Sequence, residues 1–183
     1  MNDSAYTNHP ASDPLRVLLV DDNEHDRFAL CRALGRGPVS FQVDACERGE
    51  DAVDWLGADP NRIQVVVVDY DLPGITGLDV FIELKKRVGE VHLPPFVMLT
   101  GAGTEAVAST AIKAGIYDYL VKDPQNRYLS LLSTILLNAR RRYEQHAAYI
   151  EAQLQLARSH RELEEKVQER TRELRQTVEV LME

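Results

Sequence analysis

The stretch that decides the fold is Val65-Val66-Val67-Val68-Asp69, followed at once by Tyr70-Asp71-Leu72-Pro73-Gly74-Ile75-Thr76-Gly77. Four consecutive β-branched residues read as a strand covered on both faces, because an exposed face would alternate with polar residues. The run stops at a carboxylate, and Pro73, Gly74 and Gly77 then mark a loop. Upstream, Arg16-Val-Leu-Leu-Val20 is a second short apolar run, and it too stops at carboxylates, Asp21 and Asp22. Asn23 suits a helix cap, Phe28, Leu30, Cys31 and Leu34 recur at helical spacing, and Gly35 ends that helix. Val39 to Ala45 alternates as a half-buried strand does, and Ala52, Val53, Trp55 and Leu56 predict a short helix before Gly57. Downstream, Val80, Phe81, Leu84 and Val88 predict a helix, and Phe96 to Leu99 a strand ending at Thr100. Gly101 and Gly103 open a loop, Glu105 to Ala114 is helical, and Tyr117 to Val121 is a fifth strand ending at Lys122. Strand and helix alternate five times, which predicts a parallel sheet with helices on both faces and right-handed crossovers.

Composition narrows the class of function. The chain has 183 residues, 44% hydrophobic, with a formal net charge of -8, so generic nucleic-acid binding is not expected. The acidity is local: residues 14–123 hold eighteen Asp and Glu against eleven Lys and Arg, whereas residues 124–183 hold nine against ten. Arg140-Arg141-Arg142 reads as a solvated patch. Cys31 and Cys46 form no close pair and read as small buried apolar residues of a reducing compartment. The longest wholly apolar run, Val65 to Val68, is far too short to span a bilayer, and the polar start has no signal-peptide core. A cytoplasmic location and no membrane contact for this segment are the expectation. Residues 1–13 read as a disordered arm.

In an open parallel sheet, ligands bind beyond the carboxyl ends of the strands. Here four strands end in polar groups: Asp21 and Asp22, Asp69, Thr100 and Lys122. Crowded carboxylates repel one another and need a cation, and an oxygen-only set without His or Cys points to Mg²⁺. An Asp beside such a metal can attack phosphorus and become an aspartyl phosphate. A lysine supplies positive charge to a phosphate oxygen, and a threonine supplies a hydroxyl donor.

Val17-Leu-Leu-Val-Asp21-Asp22, Val67-Val-Asp69-Tyr-Asp-Leu-Pro73-Gly-Ile-Thr-Gly77, Met98-Leu-Thr100-Gly-Ala and Tyr119-Leu-Val-Lys122 together resemble the receiver domain of two-component response regulators, in order and spacing. The resemblance implies a flavodoxin-like doubly wound five-stranded sheet in the order 2-1-3-4-5 over residues 14–138. It implies Asp69 as phosphoacceptor, with the Asp21, Asp22 and Asp69 side chains and the Asp71 backbone carbonyl as Mg²⁺ ligands. Thr100 would be the switch hydroxyl, Lys122 the phosphate contact and Tyr119 the switch aromatic. The implied partner is a histidine kinase or a histidine phosphotransfer protein, and no enzymatic activity is implied beyond self-phosphorylation and autodephosphorylation. One departure stands out: the family has Lys-Pro with a cis bond, whereas Asp123 here separates Lys122 from Pro124. The alternative reading is a haloacid-dehalogenase-like phosphatase with Asp69 as nucleophile and Asp71 as its acid. It is disfavoured because that class places its metal carboxylates after the nucleophile.

No Pro or Gly follows Pro124, so nothing interrupts a helix of roughly 85 Å at 1.5 Å per residue. Tyr143, Ala147, Ile150, Leu154 and Ala157 follow four-three spacing, and Leu156, His160, Leu163, Val167, Arg170, Leu174, Thr177 and Leu181 repeat it in a shifted phase. This heptad pattern with a slip near Ala157 predicts a parallel homodimeric coiled coil over residues 139–183, weakened by Arg170 and Thr177. Leu163 to Leu174 resembles the signalling helices that lead into histidine-kinase or diguanylate-cyclase domains. His160 lacks the proline of a kinase phosphoacceptor site and reads as structural. The expectation is that this chain is the front of a longer protein with a kinase, PAS or cyclase output.

Overall fold

The computed structural model describes residues 13–101 and 105–182. The predicted arm therefore falls almost wholly outside the described residues, as do Gly103 and Glu183. The chain divides into two compact units, residues 1–143 and 144–183.

The first unit carries the expected alternation. Its strands are β1 (Leu15–Val20), β2 (Phe41–Cys46), β3 (Val65–Asp69), β4 (Phe96–Thr100) and β5 (Asp118–Val121). Its helices are α1 (Glu24–Leu34), α2 (Gly49–Ala58), α3 (Gly77–Val88), α4 (Glu105–Ala114) and the start of α5 (Tyr128–Leu181). The sheet order is β2-β1-β3-β4-β5, parallel throughout, so the flavodoxin-like reading holds. All five residues of β3 and all five of β4 are buried, because each strand has neighbours on both sides and helices on both faces.

Alternation of side chains along the strands divides the core in two. Leu18, Val20, Val66, Val68 and Met98 face α2, α3 and α4, meeting Ala52, Leu56, Val80, Leu84 and Ala111. Val17, Leu19, Val65, Val67, Val97 and Leu99 face α1 and α5, meeting Leu30, Leu34, Leu132, Leu136 and Ala139. Further along α5, Arg142 Nη2 donates to Asp118 Oδ2 at 3.0 Å and the Tyr143 hydroxyl donates to the Val91 carbonyl at 3.2 Å.

Several local expectations change. Phe28 is 67% exposed, since it stands two residues from Leu30 and so on the far side of α1 from the buried Leu30–Leu34 stripe. Cys31 and Cys46 are half-buried, not buried. Burial, with help from the Asp51 charge, still pushes the Cys46 thiol up to about 12. β2 starts two residues later than alternation suggested, because its register is set by pairing Phe41 with Leu15. Gly57 lies inside α2, and the helix continues to Ala58 before Asp59 caps it. β5 starts at Asp118, with Tyr117 outside it, and β4 extends to include Thr100.

In the second unit, 144–183, α5 continues to Leu181. Of its described apolar residues, Tyr149, Leu154, Leu156, Leu163, Val167, Leu174 and Val178 are more than half exposed, and Ile150 is 39% exposed.

Candidate functional site

Strand register brings the polar ends together. Val20 pairs with Val68, so Asp21 and Asp69 leave neighbouring strands at the same level. Thr100 pairs with Val121, which places Lys122 one residue beyond. The loop after β3 is held against the site by a close approach. The Gly77 amide donates to the Tyr70 carbonyl at 3.0 Å, and a Cβ at Gly77 would run into the Asp69 carbonyl oxygen. Thr76 and Asp79 then start α3 with a reciprocal cap: Thr76 Oγ1 accepts from the Asp79 amide at 3.1 Å, and Asp79 Oδ2 accepts from the Thr76 amide at 3.0 Å.

One oxygen from each of Asp21, Asp22 and Asp69 lies within 4.8 Å of the others. Asp21 is fully buried, Asp69 is 7% exposed and Asp22 is exposed, so the cluster opens outward on one side only. Lys122 Nζ donates to Asp69 Oδ2 at 2.7 Å, to Asp21 Oδ2 at 2.9 Å and to Asp26 Oδ2 at 2.9 Å. An ammonium has three N–H bonds, so all three are used. Asp21 Oδ1 also accepts from the Asn23 amide at 2.9 Å, and its backbone carbonyl accepts from Arg27 Nη1 at 2.8 Å. Arg27 reaches on to Glu47 Oε1 at 2.6 Å, tying the loop after β1 to the end of β2.

The electrostatics are unbalanced. Burial acts to lower the Lys122 pKa, but the hydrogen bonds to Asp69, Asp21 and Asp26 outweigh it, and the ammonium is held well above its ordinary value. For Asp21, burial raises the pKa by more than Lys122 lowers it. The two directions conflict only superficially: one ammonium is divided among three carboxylates, so it gains much and each carboxylate gains little. With Asp22 alongside, four carboxylates face one lysine. Such a set fits a divalent cation held by oxygen ligands, Mg²⁺ before softer metals.

Thr100 supplies a second sign of an unfilled role. Its side chain is fully buried, and Oγ1 has no hydrogen-bond partner among the described residues. A buried unpaired hydroxyl costs about 1–3 kcal/mol, so natural proteins keep few of them without a purpose. Tyr119 lies at the sheet edge on the Met98 side of β5 and is 39% exposed.

Residues 17–132 match the response regulator receiver domain model. The chain belongs to the response regulator receiver family. The receiver is 29% identical over 170 residues to the cyclic di-GMP phosphodiesterase response regulator RpfG of Xanthomonas campestris, an alignment covering 90% of this chain and 43% of that protein. It is 32% identical over 119 residues to a protein-glutamate methylesterase/protein-glutamine glutaminase of Rhodospirillum centenum, covering 65% of this chain and 29% of that protein. The chain thus spans less than half the length of these two relatives. Among solved structures, the adenylate cyclase from Rhodopirellula baltica matches with a TM-score of 0.63 and 26% identity, covering 76% of this chain and 96% of that one. A response regulator receiver domain protein from Clostridium thermocellum matches at 0.57 and 25%, covering 71% and 97%. Family membership leaves the phosphatase alternative without support.

The receiver's departure at Asp123 has a local structural use. Asp123 Oδ1 accepts from the Tyr128 amide at 3.0 Å and Oδ2 from Arg127 Nε at 3.1 Å, so this carboxylate anchors the start of α5. No peptide bond is cis among the described residues. Sequence reasoning missed Asp26 and Arg27. Asp26 lies in the first turn of α1, and it joins the site only through where α1 packs, which no local spacing signals. No described helix is long and apolar enough to cross a membrane.

Proposed function

We propose that Asp69 is the phosphoacceptor of a phosphorelay, and that the α5 tail passes the phosphorylated state on through a dimeric coiled coil. The observation that carries the first part is the Lys122 ammonium bridging Asp69 and Asp21 at 2.7 and 2.9 Å beside the buried hydroxyl of Thr100, which has no partner among the described residues. Asp21, Asp22 and Asp69, with the Asp71 backbone carbonyl, are the residues that would hold Mg²⁺. When bound, Mg²⁺ neutralises charge building up on the transferring group.

An Asp69 carboxylate oxygen attacks the phosphorus of a phosphohistidine, on a histidine kinase or phosphotransfer protein, or of a small phosphodonor. The new O–P bond forms as the P–N bond to imidazole breaks; the imidazole leaves with the electron pair and takes up a proton. Asp69 loses its charge in becoming an acyl phosphate, so a Lys122 N–H is freed for a phosphoryl oxygen. Thr100 Oγ1 donates to another, gaining a partner that no described residue supplies. Tyr119 then moves inward from the sheet edge, shifting the face built by α4, β5 and α5.

The apolar stripe of residues 139–183 supports a parallel homodimer, because Leu156, Leu163, Val167 and Leu174 stand exposed at heptad spacing. The phase slip near Ala157 is a bistable element through which the change at α5 reaches an output such as a kinase, PAS or cyclase domain. The acidic net charge supports neither nucleic-acid nor membrane binding for this segment, and a cytoplasmic setting fits a kinase partner. Incubation with acetyl phosphate and Mg²⁺ tests the reading: the wild-type chain becomes labelled and Asp69→Ala does not. Equal labelling of both would refute it.

A further inference from the structure

The group in the site that the phosphorelay reading leaves without a task is Asp26. Its carboxylate comes from the first turn of α1, its side chain is 31% exposed, and Oδ2 takes one of the three N–H bonds of Lys122 at 2.9 Å. The other two partners of Lys122 change character during the proposed reaction: the Asp69 carboxylate becomes an acyl phosphate whose negative charge sits on the phosphoryl oxygens, and Asp21 shares its charge with the cation. Asp26 neither reacts nor belongs to the cation-binding trio, so it keeps both its charge and its hold on the lysine.

We propose that Asp26 is a charge brake on phosphoryl entry: a positioning residue that holds one Lys122 N–H and one extra negative charge against the arriving anion. This rests on Asp69 being the phosphoacceptor. Two effects act in the same direction. With Asp26 attached, at most two of the three Lys122 donors can turn to phosphoryl oxygens. With Asp21, Asp22, Asp26 and Asp69 set against one lysine and one divalent cation, the fixed charge facing a phosphodonor is -1; without Asp26 it is neutral. Arg27 does not alter this count, because its guanidinium is paired with Glu47 at 2.6 Å. The site is partly open, so water screens the interaction, and the effect of one charge is about three- to tenfold in rate.

Asp26→Asn removes the charge while keeping a side-chain oxygen of the same reach. At saturating Mg²⁺, this variant is expected to label about three- to tenfold faster than wild type with acetyl phosphate, a dianion. The gain should be smaller with phosphoramidate, which carries less charge, and should shrink as salt is raised. Mg²⁺ affinity, measured by direct titration without phosphodonor, is expected to fall a fewfold, because a negative charge has left the site. Weaker cation binding with faster anion entry is the signature of a charge; a damaged site would weaken both. Unchanged or slower labelling of Asp26→Asn beside normal wild-type labelling would overturn the brake alone. Absence of wild-type labelling, or labelling that survives Asp69→Ala, would instead overturn the phosphoacceptor reading and the brake with it.

Discussion

The chemistry at the carboxyl rim of the sheet rests on a few side chains in unfavourable settings. Thr100 is the most informative. Its buried hydroxyl has no partner among the described residues, so replacing it with an isosteric apolar group should remove a cost. Thr100→Val is therefore expected to raise stability to denaturant by about 1 kcal/mol while weakening beryllofluoride binding in the presence of Mg²⁺. Denaturant titration and fluorescence titration check the two halves. A loss of stability would mean that the hydroxyl is satisfied in a way the geometry does not reveal. Gly77 is a second case, because the Asp69 carbonyl fills the space a Cβ would need. Gly77→Ala should cost about 1–3 kcal/mol from overpacking and slow labelling by displacing Asp69, measurable as a lower denaturant midpoint and a lower labelling rate. Asp21, Asp22, Asp69, Thr100 and Lys122 were all legible as polar ends of apolar runs. Asp26 and Arg27 were not, since they sit on a helix face where charged residues usually need no explanation. Their roles come from where α1 is placed, which no local pattern encodes.

At the scale of elements, the strands were legible wherever burial was complete. β3 and β4 show continuous apolar runs because both faces and both edges are covered. β2 and β5, the edge strands, were misplaced by one or two residues because one edge of each lacks a neighbouring strand and the pattern weakens. Helix α1 misled through Phe28, an exposed aromatic that helical spacing alone could not assign to a face. Helix α3 illustrates what a cap contributes. Thr76→Ala should cost about 1 kcal/mol in denaturant unfolding, because it removes an acceptor for the Asp79 amide. The hydrogen bond from the Thr76 hydroxyl, then that from its amide, holds Asp79 below its ordinary value of 3.8. A carboxylate depressed on folding contributes stability that is present above its unfolded pKa and lost as pH falls through the folded one. The difference between wild type and Thr76→Ala should accordingly be full at neutral pH and shrink as pH drops below about 3.8. A difference that grows on acidification would contradict the assignment. Asp79 is exposed, so the effect is a fraction of what a buried pair would give.

At the scale of the whole molecule, the two units raise different questions. The first has a closed core on both sides of its sheet. The second offers a row of exposed Leu and Val along one helix, an arrangement water tolerates poorly without a matching surface. Sedimentation of the full chain should give a dimer, and Leu163→Asp combined with Val167→Asp should give a monomer whose labelling at Asp69 is unchanged. A wild-type monomer at micromolar concentration would rule out the coiled coil. The heptad pattern was plain in the sequence. The proposed output domain and histidine-bearing donor were not, because their identity depends on surfaces that a single chain does not contain. Both ends of the proposed relay meet at the phosphoacceptor, so its identity is the decisive point. Borohydride reduces an aspartyl phosphate to homoserine, so treatment after labelling with acetyl phosphate and Mg²⁺, and then peptide mass spectrometry, locates it. Conversion at Asp69 and at no other acidic residue is the predicted result. Conversion elsewhere, or none at all in a fully folded chain, would contradict it.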